Sequence, residues 1–204
     1  MTGDSEMTGV AVIGIHRSGT SAVAGVLYHL GVFMGDDLLP PSIHNPKGYF
    51  EDRRFVELHT KVMEGGWKNP THIDWGYAAE YPVLLAEFQK HGLWGIKDPR
   101  LCYLLPYLRA YVDPLKVVAV FRDPYVAANS LFKRGGHTMK EAREISLRYL
   151  KAMMRNVPDD ALWVYYNDLI DAPGVGVAEI AEYIGVEPTQ EAIDFIDRHL
   201  RHWR

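Results

Sequence analysis

The residues best equipped for chemistry lie near the start of this 204-residue chain. Gly14-Ile-His16-Arg17-Ser18-Gly19-Thr20-Ser21 joins an apolar run beginning at Val10 to a helical apolar repeat. A glycine at each end lets the backbone turn without a Cβ clash. Successive N–H groups then converge at a helix start, where the dipole also favours negative charge. The segment reads as a cradle for a phosphate-like oxyanion, with a plain tight connection as the alternative. The usual nucleoside triphosphate loop, G-x-x-x-x-G-K-[ST], places lysine after its second glycine and a hydroxyl for Mg²⁺ after that. Here Thr20 and Ser21 follow Gly19, and the positive charge has moved to Arg17.

Three further groups carry charge to positions where an anion would need it. In Phe121-Arg122-Asp123-Pro124 a guanidinium ends a β-branched run, and Ser130 follows eight residues later. Arginine offers a fork that matches phosphate oxygens, although it also pairs well with a carboxylate. Gly95-Ile96-Lys97-Asp98-Pro99-Arg100 puts Lys97 at the end of another apolar run. Such a lysine either reaches a surface carboxylate or faces a ligand. In Asn45-Pro46-Lys47-Gly48-Tyr49-Phe50-Glu51-Asp52 a turn ends in two carboxylates, and Asp52 has the place of a helix cap.

The elements that must position these residues alternate. Strand patterns begin at Val10 and cover Leu93–Lys97, Lys116–Arg122 and Leu162–Tyr166. Helical spacing is expected over Ala22–Leu30, Arg53–Glu64, Glu80–His91, Leu101–Tyr111 with a break or kink at Pro106, Gly176–Tyr183 and Glu191–His199. Thr138-x-x-Glu141 opens a long helix to about Asn156 with a capping box. The alternation predicts an α/β fold: a P-loop-like three-layer sandwich whose parallel sheet is flanked by helices and binds ligands at the carboxyl ends of its strands.

Composition bounds the function. Residues 7–204 are expected to form one domain, with 1–6 a disordered lead-in. A net charge of −4 argues against a general nucleic-acid or membrane-surface binder, so an anion must be held by a local cluster of cations. Cys102 is the single cysteine, which excludes an internal disulfide and fits a reducing compartment. His199 and His202 read as a surface pair rather than a metal site. Without an apolar membrane span or a basic, apolar leader pattern, a cytoplasmic protein is expected.

Together these motifs resemble the sulfotransferases that use 3′-phosphoadenosine-5′-phosphosulfate (PAPS). Gly-Ile-His-Arg-Ser-Gly-Thr-Ser is similar to their 5′-phosphosulfate loop, in the arginine version shared by tyrosylprotein sulfotransferases. Arg122 with Ser130 resembles their 3′-phosphate motif, and Lys97-Asp98-Pro99 the segment whose lysine meets the sulfuryl group. Tyr166-Asn-Asp-Leu169, Pro173 and Ile-Gly-Val186 extend the likeness, which is nearest to bacterial and phage members. The resemblance implies donor contacts from His16, Arg17, Ser18, Gly19, Thr20, Ser21, Arg122 and Ser130. It implies that Arg17 and Lys97 neutralise the transferring group, and that Glu51, His44 or Asp52 acts as base, with Glu51 first. The reaction should need no metal.

For the adenine, Trp67, Tyr165 and Tyr166 are candidate stacking partners. The family's closing C-terminal glycine segment has no counterpart, although Arg198, Arg201 and Arg204 lie in its region. Trp67, Trp75, Tyr49, Tyr77 and Tyr81 suit a small-molecule or carbohydrate acceptor, or equally a core. The oligomeric state is left open. A P-loop kinase and a non-catalytic adenosine-bisphosphate-binding module are the alternatives, the kinase drawing on Asp123 as a metal carboxylate.

Overall fold

The computed structural model describes residues 8–200, so the expected lead-in 1–6 and Arg201, His202 and Arg204 lie outside the described residues. Four strands, β1 (Thr8–Ile13), β4 (Leu93–Lys97), β5 (Leu115–Phe121) and β6 (Leu162–Tyr165), form one parallel sheet in the order β4-β1-β5-β6. All four occupy the runs expected from the sequence. A second, two-stranded sheet pairs β2 (Met63–Glu64) with β3 (His72–Ile73), antiparallel.

Period-two alternation along the strands builds two cores. Ala11, Ile13, Trp94, Ile96, Val117 and Ala119 pack on one face with α2 (Arg53–Val62), α3 (Glu80–Phe88), α4 (Leu101–Tyr111), α5 (Pro124–Arg134) and α6 (Met139–Asn156). Val10, Val12, Val118, Val120 and Val164 pack on the other with α1 (Thr20–His29), α7 (Tyr166–Asp171), α8 (Pro173–Ile184) and α9 (Gln190–Phe195). A parallel sheet covered on both faces calls for such nearly unbroken apolar strands. No helix among the described residues is long and apolar enough to cross a membrane.

This layering opens the crevice. β1 sends its chain into α1 on one face, whereas its neighbours β4 and β5 send theirs into α4 and α5 on the other. The chains diverge at the carboxyl edge and leave space beside the β1–α1 loop, the place where open α/β sheets bind ligands. Register sets the heights. Lys97 lies opposite Val12, and Ile13 opposite Ala119, so β5 reaches past the loop before Arg122.

The helices show their expected punctuation. Thr138 and Glu141 exchange hydrogen bonds in a capping box at the start of α6. Pro106 does not break α4. Its missing N–H would orphan the Cys102 carbonyl one turn back, and Asn156 Nδ2 donates to that oxygen at 2.9 Å. Three expected helix ends need correction, the first being the helix from Glu80, which stops at Phe88 instead of His91. The helix from Arg53 stops at Val62, because Met63 takes extended geometry and the chain enters β2. The last helix ends at Phe195 instead of His199: Ile196 turns extended and inward, and a short 3₁₀ turn follows at Arg198–Leu200.

Candidate active site

Arg17, Lys97 and Arg122 line one cleft, reached from three strand ends. It encloses about 920 Å³ with its open mouth included. Its walls carry five cations, Arg17, Lys47, Lys97, Arg122 and Arg134, against two carboxylates, Glu51 and Asp197. In a chain of net charge −4 this is a local reversal of sign.

The loop is built around an opening at the start of α1. Gly19 has φ +100, and a Cβ there would lie 2.1 Å from the Tyr166 ring, so only glycine fits between loop and ring. The Arg122 guanidinium covers the same ring at 4.7 Å and donates to the Arg17 carbonyl at 3.1 Å. Tyr166 thus supports the loop from below while still reaching the cleft wall. Asp52, Asp123, Thr138 and Thr189 cap α2, α5, α6 and α9 with side-chain oxygens. No side chain among the described residues caps α1, and its first turn holds no acidic residue. Its N–H groups, from Gly19, Thr20 and Ser21 on the cleft wall, keep their capacity for an anion.

Arg17 and Phe50 are the two non-glycine residues with positive φ among the described residues, at +69 and +54. Each such position costs on the order of 1–3 kcal/mol and tends to mark a functional site. Arg17 uses its geometry to donate from Nε to Ser130 Oγ and from Nη1 to the His44 carbonyl, both at 3.1 Å. Burial lowers its pKa, followed by the neighbouring positive charge of Arg134. Phe50 presents Glu51, whose carbonyl accepts from Leu39 N at 2.8 Å.

Lys97 and Glu51 form a buried ion pair at the cleft wall, with Ser21 Oγ 3.1 Å from Lys97 Nζ. Strand parity explains the meeting. Lys97 is on the face that packs α1, while Asp98 turns to the opposite face. There Asp98 accepts from Arg100 N at 2.9 Å and from Arg100 Nη1 at 3.0 Å, and it lies 2.7 Å from His59 Nδ1. Burial alone would raise the Asp98 pKa, but Arg100 and His59 outweigh it and hold the carboxyl well below its ordinary range. Asp98 therefore anchors the strand tip that carries Lys97.

The other expected residues sort by position. His44 is on the cleft wall, whereas Asp52 is committed to the Arg54 backbone and guanidinium at 2.8–3.0 Å. Ser18 is fully buried, its Oγ without a hydrogen-bond partner, and Ser130 stands behind Arg17; neither lines the cleft. His16 lines it, with its ring 4.6 Å from Trp67 and 4.7 Å from Tyr149. The residue is partly exposed, but its Nε2 is buried and without a hydrogen-bond partner. Burial, followed by the charge of Arg100, lowers its pKa to about 3.

Of the three aromatics considered for the adenine, Tyr166 alone reaches the wall; Tyr165 is exposed beside Phe121. Tyr49 lines the cleft, Tyr77 is exposed and Tyr81 belongs to the core. The Trp75 side chain lies outside the described residues. Asp123 spends its Oδ1 on Tyr125 N and Val126 N.

Sequence reasoning missed Arg134 and Asp197 on the walls and gave Lys47 no role. Arg134 was within reach, since four residues separate it from Ser130 on a helix announced by Asp123-Pro124. Arg198, expected to be solvated if not functional, instead donates to the carbonyls of Ile170 and Asp171 at 3.1 and 2.7 Å. Those contacts bring Ile196, Asp197 and Leu200 onto the cleft wall. Phe195 packs against Gly25 of α1 and lies under Lys47 Nζ. No group of three His, Cys, Asp or Glu with metal-binding geometry occurs among the described residues.

No family model and no curated protein matches the sequence. Solved structures match its fold. The sulfotransferase domain of the Synechococcus PCC 7002 olefin synthase superposes with a TM-score of 0.59 at 20% identity, over 92% of this chain and 76% of that one. Sulfotransferase STF1 from Mycobacterium tuberculosis H37Rv gives 0.60 at 17%, over 95% and 72%. A sulfotransferase from Alicyclobacillus acidocaldarius gives 0.55 at 14%, over 88% and 81%. At these identities the likeness is one of fold, and this chain has the α/β architecture of those proteins.

Proposed function

We propose that residues 7–204 form one catalytic unit, a PAPS-dependent sulfotransferase acting on a hydroxyl or amine of a small-molecule or carbohydrate acceptor. The observation that carries this reading is the convergence of Arg17, Lys97 and Arg122 on one cleft at the uncapped start of α1. The fit to a doubly phosphorylated donor rests on those cations, on the free N–H groups of the first turn and on a loop with no room for a Cβ at Gly19. PAPS, when bound, supplies a sulfuryl group already activated as a mixed anhydride.

The chain's part is to position and neutralise, as in the related phosphoryl transfers. The N–H groups of Gly19, Thr20 and Ser21, with the nearby hydroxyls, would hold the 5′-phosphate and stabilise the negative charge that it gains as its bond to the sulfuryl group breaks. Arg122 holds the 3′-phosphate, with Ser130 available once Arg17 turns to the sulfuryl oxygens. Lys97, on the same cleft, would neutralise those oxygens as well. Glu51, released from Lys97, accepts the acceptor's hydroxyl proton; His44 stands on the same wall as second candidate. Asp52 is set aside as base because its oxygens cap and pair. A cytoplasmic setting suits the buried free thiol of Cys102, whose pKa burial pushes up to about 12.

The kinase reading loses its metal carboxylate to the α5 cap. A thermal-shift comparison of 3′,5′-adenosine bisphosphate with ATP, each with EDTA and with Mg²⁺, tests the donor. A ligand at 100 times its Kd adds about 2.7 kcal/mol of stability. Stabilisation by the bisphosphate in EDTA is expected. Stabilisation by ATP alone, and only with Mg²⁺, overturns the proposal.

A further inference from the structure

Once the donor's charges are matched to Arg17, Lys97 and Arg122, one arginine on the cleft wall has no assignment. Arg134 is the last residue of α5, exposed on the cleft, and its side chain has no hydrogen bond or ion pair to any described residue. Its position relative to Arg122 is fixed by the helix. α5 is about 16 Å long at 1.5 Å per residue, Arg122 precedes its first turn and Arg134 closes its last. Ser130 lies between them, one turn before Arg134 on the same face, and holds Arg17 by its Nε. The three guanidiniums therefore run in sequence along the cleft, Arg122 to Arg17 to Arg134.

Besides the cost of burial, Arg17 feels the repulsion of Arg134 and then of Arg122. The surroundings of Arg134 add positive charge. Lys68 reaches the Gly136 carbonyl at 3.4 Å, Arg148 donates to the Lys68 carbonyl, and Glu141 is spent on the Thr138 cap. No carboxylate among the described residues pairs with Arg134, and the wall's Asp197 accepts from His199 N, so an anion entering the cleft would stabilise this cluster of cations. The 3′-phosphate would answer Arg122 and the transferring group Arg17, which leaves Arg134 with no charge of the donor assigned to it.

Resting on the sulfotransferase reading, we propose that the acceptor carries a carboxylate or phosphate besides its reacting hydroxyl, and that Arg134 holds this anionic group. Arg134 is thus a specificity residue for an acidic acceptor.

The test pairs acceptors that differ in charge but hardly in shape: 4-hydroxyphenylacetate with its amide, 3-hydroxybutyrate with its amide, and tyramine as the cation. A phosphate member, 3-hydroxypropyl phosphate with its neutral dimethyl ester, separates the two anion sources. Turnover is read by release of 3′,5′-adenosine bisphosphate, and binding by thermal shift on protein saturated with that product. The intact protein should prefer an anionic member. Arg134→Gln should lower kcat/KM for that member about ten- to a hundredfold, chiefly through KM, the scale of one lost charge-assisted hydrogen bond. The amides should be unchanged, and affinity for the bisphosphate should stay within about twofold. Arg134→Glu should move the preference to tyramine, and Arg134→Lys should keep part of the original. Equal use of charged and neutral members, rejection of all of them, or loss of bisphosphate affinity in Arg134→Gln overturns the proposal. Failure of the intact protein to bind the bisphosphate overturns the donor reading instead.

Discussion

The buried Lys97–Glu51 pair makes a prediction about stability that is independent of the reaction. The two side chains are 2% and 10% exposed, so neither charge can be left to solvent when its partner is removed. Breaking a buried pair by removing one partner costs about 3–5 kcal/mol, whereas replacing both by apolar residues of like volume is often neutral. Lys97→Met strands the Glu51 carboxylate, and Glu51→Leu strands the ammonium with Ser21 alone. Each should cost about 3–5 kcal/mol, and for a chain of this length about 2–4 °C per kcal/mol lowers Tm by roughly 6–20 °C. The double variant should cost about 2 kcal/mol or less, so each change rescues the other. Urea unfolding followed by circular dichroism at pH 7, with a common m-value, measures the cycle. If the double variant equals the sum of the singles to within about 0.5 kcal/mol, the pair carries no coupling and the reasoning fails.

In the reaction, Lys97→Ala should lower kcat about 10²–10³-fold with donor affinity little changed. Arg122→Ala should do the reverse, weakening 3′,5′-adenosine bisphosphate by about 1.5–3 kcal/mol; equal effects of both on donor affinity, read by calorimetry, contradict the division of roles. His16 has a folded pKa near 3 against 6.5 unfolded, so between these values the unfolded chain binds a proton that the folded one refuses. Stability from this group is complete above pH 6.5 and falls as pH drops towards 3. From pH 7 to 4.5 the loss is about 2–3 kcal/mol. His16→Gln should flatten that part of the urea-midpoint curve, and an unchanged slope disproves the assignment. Gly19→Ala should cost at least about 2 kcal/mol, from left-handed backbone and contact with Tyr166; a midpoint equal to the parent's would show that the ring moves aside freely.

Much of this arrangement is legible in the residues. The four parallel strands are readable because burial on both faces demands unbroken apolar runs, and strand ends then locate Lys97 and Arg122. The capping oxygens of Thr138 and Asp52 are readable because they act over only two or three residues. What sequence leaves open depends on partners far along the chain. Asp52 can be read as a cap, but nothing within Glu51-Asp52 tells that Glu51 meets Lys97, 46 residues away. The β2–β3 pair is too short for any period, so helical spacing carries the expected Arg53 helix on to Glu64. The end of the last helix is set by Ile196 turning inward and by Arg198 binding carbonyls near residue 170, which helical spacing cannot express.

The route of the chain bears on how the protein can be handled. Thr8 enters at the amino ends of the strands, while Leu200 leaves from the cleft wall, after Phe195 has wedged against Gly25. A label or surface tether attached at position 200 would stand at the mouth through which a ligand must pass, and an acidic one there would compete for its arginines. One attached at position 8 would stand on the far side of the sheet and leave that entrance clear.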